Sequence, residues 1–408
     1  MLLPSTTYRT SAFVTAARRL DVDLTVASDF PSTFEQARPE ALVTFDFSDP
    51  ARAAEQARAF AERTPVRAVT GVDDDTAILA ATIAKALGLR GNPVDAMAAA
   101  RDKHRQRELL AAAGVPVPRF ALHEIGGDSA VAAAAAPYPC VLKPLRLSAS
   151  RGVIRADDRA QFLTAHARLA RILATPEAAA CGEPARRYLV EEFIPGAELA
   201  VEGLVTAGAL QVLAMFDKPD PLDGPFFEET IYVTPSRLPA DAQRAIADCA
   251  AAAVRALGIA GGPVHAELRW NARGAWLIEL AARPIGGRCS AVLRFGPDLV
   301  SLEDIILRHA LGLPIESMER EPAASGVMMI PVPGAGVLRE VRGQAEARTV
   351  PGVTDVAIAA HPGQRLVPWP EGSRYPGFLF ARGESPAAVE HALREAHRRL
   401  TFVLDPDA

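Results

Sequence analysis

The stretch PYPCVLKPLRLSASRGVIRADD, Pro137 to Asp158, constrains the fold more than any other. A short apolar strand ends in Lys143, a loop of serines, alanine and one glycine follows, and β-branched residues return at once. Strand, small-residue loop and strand make a hairpin whose tip can close over a ligand. A lysine at the end of a buried strand is unfavourable unless its charge is met. A phosphate would meet it, and the backbone N–H groups of Ser148 to Gly152 would add donors. Taken alone, Lys143 could equally snorkel to solvent.

The rest of the chain places this hairpin in an α/β protein, with α+β character in the lid and C-terminal parts. Its 408 residues allow two or three domains. The first ninety alternate in a βα rhythm, with strands at DVDLTVAS, ALVTFDF and VRAVTG and alanine-rich helices between them. This predicts a small Rossmann-like parallel sheet over residues 1–91. No GxGxxG follows the first strand, so a dinucleotide site is not supported. GNPVDAMAAARDKHRQRELLAAAG reads as one helix, with Asn92 as N-cap, Pro93 at N1 and Gly114 at the left-handed end. A second unit spans 92–315, with a lid subdomain at about 115–195. It holds a helix near Asp158–Thr175, the strand YLVEEFI, and a hairpin turning at TAGA. A long helix ADAQRAIADCAAAAVRALG and the strands GPVHAELRW and AWLIELAA follow. Residues 316–408 return to strands and one closing helix.

Several classes are excluded. With 44 basic and 49 acidic residues the net charge is −5, which speaks against a nucleic-acid binder. The four cysteines lie far apart with no CxxC pair, as buried reduced thiols would. No apolar run approaches the ~20 residues that span a bilayer. The N-terminus has no basic segment followed by an apolar core, so no signal peptide is read. The expected location is the cytoplasm, with no membrane partner.

The chemistry concentrates in charged residues on strands. Glu267 and Glu279 sit on what should be one hairpin, where cross-strand neighbours lie about 5 Å apart. Two facing carboxylates among Val264, Leu277 and Ile278 repel unless a cation lies between them. Hard oxygen ligands beside a phosphate loop select Mg²⁺. Arg283, four residues on, offers a planar fork for a carboxylate or phosphoryl oxygen, and Gly286 and Gly287 let backbone approach a ligand. Alternation along YLVEEFIPGAE puts Glu192, Ile194 and Glu198 on one face. Each piece also has an ordinary reading: solvent-facing glutamates, a surface arginine, and Lys103 on a solvated helix face.

The order of the pieces is more specific. RDK, then P.VLKP and S.S.GV, LVEEFIPGAE, HAEL and IELAARPIGG run in sequence over about 190 residues. In this the chain resembles the ATP-grasp superfamily, and within it most closely the L-amino-acid ligases, which join a carboxylate to an amine. Supporting segments are DDDTAILAATIAKALGLRGNP and FFEETIYVTPSRLP. The resemblance implies an ATP-grasp fold, ATP with Mg²⁺ (or Mn²⁺), small carboxylate and amine substrates, and a homodimer. It implies that Lys103 and Lys143 hold phosphates, and that Ser148, Ser150 and Gly152 cover them. Glu191, Glu192, Phe193 and Ile194 would form the adenine hinge and Glu198 would bind ribose. Glu267 and Glu279 would bind metal. Arg283 would act with Lys143 in catalysis, and Glu229, Tyr232, Gly286 and Gly287 would line the substrate pocket, Gly287 leaving room for a bulky group.

Two departures stand out. Many ATP-grasp enzymes carry an asparagine two residues after the second metal-binding glutamate, and here Ala281 stands there. The loop LSASRGV is also poor in glycine, which implies a less mobile lid. The competing expectations are a carboxylase-like or non-amino-acid carboxylate ligase, and an ATP-binding protein without turnover.

Overall fold

The computed structural model describes residues 1–5 and 7–405. Near the N-terminus the βα rhythm produces a parallel pair, Val26–Ser28 with Leu42–Thr44. Met1–Leu3 lies beside it, with Leu2 bridged in parallel to both Ala27 and Gly71. The expected strand VRAVTG is reduced to that single bridge. Its partner stops at Pro4, which has no N–H to continue a ladder. Leu2, Ala53, Phe60, Leu79 and Ile83 form the core beneath the helices Pro50–Ala61 and Asp74–Ala86.

The helix expected over 92–114 is two, Val94–Arg101 and Lys103–Ala112. Asp102 breaks it with an extended backbone, and its side chain accepts from the N–H groups of His104 and Arg105 as a new N-cap. The N–H of Lys103 then bonds to the carbonyl of Leu145, so the break delivers Lys103 to the lid loop. Asn92 does not cap the helix. Its side chain bonds to the backbone of Ala260 and Gly261 instead, pinning the segment to a strand. Gly114 does take the left-handed conformation, φ +74°.

The lid is a four-stranded antiparallel sheet in the order Phe120–Glu124, Arg187–Glu192, Cys140–Pro144, Ile154–Ala156. The helix Arg159–Leu173 packs Phe162, Ala165 and Leu169 against Cys140, Leu142 and Tyr188. Strand Cys140–Pro144 is buried along its whole length, so Lys143 is held rigidly.

Below the lid runs an antiparallel sheet of eight strands. Its order is Gly274–Ala281, Gly261–Asn271, Ala197–Thr206, Ala209–Asp217, Ile231–Thr234, Ala324–Met329, Gly377–Gly383 and Val353–Ile358. Helix Ala240–Leu257 covers one part through Ile246, Ala253, Val254 and Leu257. Helix Pro386–Arg399 covers the last strands through Val389, Leu393 and Ala396. The C-terminal strands therefore continue the central sheet: Val327 pairs with both Tyr232 and Phe380. No helix among the described residues is long and apolar enough to cross a membrane.

The lid loop is anchored from the C-terminal side. Trp369 Nε1 donates to the Ala149 carbonyl (2.8 Å), and the Gly152 N–H donates to the Pro370 carbonyl (2.9 Å). Arg168 of the lid helix grips Glu371 with two bonds of 2.6 and 2.7 Å. Ala149 and Ser150 both hold positive φ, +53° and +55°, a conformation that side chains disfavour and that these anchors over-determine. The scarcity of glycine in LSASRGV thus accompanies a loop fixed by its surroundings.

Candidate active site

Lys143 and Glu191 sit on neighbouring lid strands, both almost fully buried. Lys143 Nζ lies 2.6 Å from Glu191 Oε2, and Arg107 Nε lies 2.8 Å from Oε1. Burial pushes the Glu191 carboxyl up, but Arg107 and Lys143 more than offset this and hold it below the usual range. Glu191 was expected as part of the adenine hinge. Its side chain is the counter-ion that keeps the two cations in place. Arg107 also donates to the Ile278 carbonyl, tying this cluster to the strand that carries Glu279.

Glu267 and Glu279 are direct cross-strand partners, with a bulge just after Glu267. Partners in such a pair project from the same face. Glu279 is the open member, 37% exposed, and Lys103 Nζ meets it at 3.0 Å while donating to the Leu147 carbonyl at 3.0 Å. Lys103 thereby joins a strand glutamate to the lid loop, and is buried rather than on a solvated helix face. Across from Ala281 stands His265, whose Nε2 is 3.4 Å from Glu267 Oε1.

Glu267 belongs to a second cluster as well. Lys218 Nζ lies 2.8 Å from Glu198, 2.6 Å from Glu229 and 3.1 Å from Glu267. Tyr232 donates its hydroxyl to Glu229 (2.6 Å) and offers its ring face to the ammonium at 4.9 Å. Burial pushes the Glu229 carboxyl up to about 7; Lys218 opposes this and Glu267 adds to it. Burial also raises Glu267, yet Lys218 and His265 hold it well below the ordinary range.

Glu198 lies near the start of strand Ala197–Thr206. Its other oxygen accepts from Arg269 Nε at 2.9 Å, so both oxygens are engaged by protein cations. Glu192 and Glu198 do not share a face, because the chain changes sheets between them. Glu192 instead pairs with Arg119 at the lid margin. In the hinge, the N–H groups of Glu192 and Phe193 bond to Arg119 and Pro139 carbonyls, and the Ile194 carbonyl accepts from Arg269. The guanidinium groups of Arg155 and Arg269 lie over the Phe193 ring, 4.1 and 4.9 Å from its centroid.

Arg283 is bound by Asp74 through Nε (3.0 Å) and Nη2 (3.2 Å), and Ser148 Oγ donates to the same carboxylate at 3.1 Å. Beyond it, Gly287 takes φ +58°, and a Cβ there would stand 2.5 Å from Met329 Sδ. The space expected at Gly287 is therefore filled by Met329. The room is at Gly286, where a Cβ would meet nothing within 4 Å.

Three family models match in order: an ATP-grasp N-terminal domain at residues 14–91, an ATP-grasp domain at 136–292, and an L-amino acid ligase C-terminal domain at 328–405. The chain thus carries an ATP-grasp domain, preceded by an ATP-grasp N-terminal domain and followed by an L-amino acid ligase C-terminal domain. It is 30% identical over 292 residues to alanine–anticapsin ligase of Bacillus subtilis, covering 62% of this chain and 58% of that protein. It is 32% identical over 197 residues to D-alanine–D-alanine ligase of Aromatoleum aromaticum, covering 48% and 60%. The chain thus spans about three fifths of the length of these curated relatives. The crystal structure of L-amino acid ligase from Bacillus licheniformis superposes with a TM-score of 0.82 at 26% identity, covering 99% of this chain and 98% of that one.

Glu267 and its cross-strand partner Glu279 offer carboxylate oxygens of the kind a hard divalent cation takes. Glu198, Glu229 and Glu267 also bring oxygens within 4.8 Å of one another, and there Lys218 supplies the cation. Lys218, Arg107, Arg269 and Asp74 are the site members that the sequence reading missed. Arg269 was reachable, since alternation puts it on the face of Glu267. Lys218 directly follows the strand Ala209–Asp217, a lysine at the end of an apolar run as Lys143 is. Nothing local marks Arg107 or Asp74.

Proposed function

We propose that the chain is an ATP-dependent carboxylate–amine ligase that joins an amino acid, or a similar carboxylate, to an amine or a second amino acid. The observation that carries this reading is the convergence of Lys103, Glu279 and the lid loop within 3.0 Å contacts, with Lys143 tied to the same strand through Glu191 and Arg107. Similarity to two carboxylate–amine ligases and to an L-amino acid ligase structure supports it.

In this reading Lys103 and Lys143 bind the ATP phosphates, with Ser148, Ser150 and Gly152 over them. Glu191 to Ile194 flank the adenine, and Glu198 faces the ribose once its cations shift. Glu267 and Glu279 would hold Mg²⁺ or Mn²⁺, which would draw charge from the phosphoryl oxygens when bound. The substrate carboxylate attacks the γ-phosphorus in line and ADP leaves, giving an acyl phosphate. Lys143 and Arg283 spread the developing charge. The amine nitrogen then attacks the acyl carbon, and phosphate departs with the former carboxylate oxygen. Glu229 and Tyr232 receive a substrate ammonium group, and the turn at Gly286 and Gly287 borders its side chain. The anchored lid keeps water from the acyl phosphate. The same reading expects a cytoplasmic homodimer, which sedimentation of the purified chain tests.

The test is incubation with ATP, Mg²⁺ and pools of amino acids, followed by mass spectrometry for new amides and assay of ADP. Amide and ADP formed in equal amounts, and lost in Glu279→Ala and Lys143→Ala, are expected. ADP without amide from any pool, or undiminished amide in those variants, contradicts the reading.

A further inference from the structure

Asp74 is the first residue of helix Asp74–Ala86, yet its side chain does no capping. Asp73 caps the helix, accepting from the Thr76 N–H while Thr76 Oγ1 accepts from the Asp73 N–H. Asp75 turns outward to Arg101, at 2.8 Å. A first-turn acid adds only about 0.3–1 kcal/mol through the helix dipole. Both oxygens of Asp74 leave the helix altogether. Oδ1 accepts from Arg283 Nε, and Oδ2 accepts from Arg283 Nη2 and from Ser148 Oγ. One carboxylate from the N-terminal unit thus joins the lid loop to an arginine 209 residues away.

The guanidinium carries five N–H donors. Asp74 takes two, and the Pro284 carbonyl takes one from Nη1 at 3.0 Å. One N–H remains on each terminal nitrogen, the pair that can grip two oxygens of a carboxylate or phosphoryl group. Burial pushes the Asp74 carboxyl up, but Arg283 and Arg101 hold it well below the usual range, so the clamp stays ionised.

We propose that Asp74 is a positioning residue, whose carboxylate clamps one edge of Arg283 and the Ser148 hydroxyl together, so that the remaining Arg283 donors are aimed only while the lid loop is closed. The inference rests on the ligase reading. The opposite role, an acid that parks Arg283 away from substrate, makes opposite predictions.

Asp74→Asn keeps the shape but cannot accept on both atoms. Its kcat falls about 10- to 100-fold, as misplacement of a charge-stabilising group by about 1 Å does. The KM for ATP changes less than about threefold, because Lys103 and Lys143 still hold the phosphates. Asp74→Glu recovers part of kcat. Adding Ser148→Ala to Asp74→Asn causes little further loss, since both act on one clamp. In the nucleotide-free protein, amide hydrogens of residues 147–152 exchange faster in Asp74→Asn, and the increase is larger there than in the sheet strands. Wild-type kcat or higher in Asp74→Asn, or a loss confined to ATP KM, overturns the inference while leaving the ligase reading intact. A wild-type protein that forms no amide overturns both. Should Asp74→Asn not fold, Arg283→Lys and Ser148→Ala replace it: non-additive losses in kcat support the clamp, and additive ones overturn it.

Discussion

Replacing Glu191 with glutamine isolates the charge that organises the lid. Glu191 is 2% exposed and meets two buried cations, Lys143 and Arg107. The amide matches the carboxylate in volume, so no cavity forms and the change is electrostatic. It leaves two buried cations without an anion. Breaking a buried pair in this way costs about 3–5 kcal/mol, because the remaining charges lose compensation and not hydration alone. At an m-value of about 3 kcal/mol/M, the urea midpoint of the nucleotide-free protein falls by roughly 1–1.7 M. ATP with Mg²⁺ supplies phosphate oxygens to Lys143, so saturating nucleotide narrows the gap to wild type. Lys143→Met breaks the same contact but leaves Glu191 with Arg107, and the double variant is less destabilised than the two single losses predict. Urea unfolding followed by far-UV circular dichroism, with and without nucleotide, reads all of this. A loss below about 1 kcal/mol, or a gap that nucleotide does not narrow, refutes the reasoning.

Three further outcomes follow from the same contacts. The Glu229 carboxyl is raised to about 7 in the folded protein, above its unfolded range, so its ionisation opposes folding progressively from about pH 4.5 to 7 and fully above. Glu229→Gln therefore gains melting temperature over metal-free wild type at pH 8 and not at pH 5, and the reverse trend contradicts this. Glu371→Ala removes the partner of Arg168 and loosens the lid anchor; proteolysis within residues 146–152 quickens and ADP exceeds amide, whereas equal ADP and amide would contradict the anchor. Gly287→Ala clashes with Met329 Sδ and strains a left-handed backbone, losing about 1–3 kcal/mol in thermal unfolding. Gly286→Ala leaves stability nearly unchanged and alters substrate KM; the reversed ranking would refute the geometry.

What could be read from the chain depended on how local its cause was. The opposition of Glu267 and Glu279 was legible because alternation and the short NARG turn fix the register of one hairpin. Motif order singled out Arg283 and Lys143, and gave no sign of Asp74 and Glu191 as their ion-pair partners. The break at Asp102 was not, because good helix formers lie on both sides and a bond from Lys103 N to Leu145 O decides the matter. The change of sheet between Glu192 and Glu198 was equally hidden, since alternation assumes one continuous strand. The engagement of Glu198 by Lys218 and Arg269, and of Arg283 by Asp74, arises from strands and helices brought together across 20, 71 and 209 residues. Pattern along the chain names which face is polar. It does not name the partner.

The central claim, an acyl phosphate made beside Lys143, Glu267 and Glu279, is tested most directly with a substrate carboxylate labelled with ¹⁸O. The carboxylate oxygen that attacks the γ-phosphorus leaves with phosphate when the amide forms. The phosphate released in each turnover is predicted to carry one ¹⁸O from the substrate, and Glu279→Ala to release none. Amide formed with unlabelled phosphate would contradict the account.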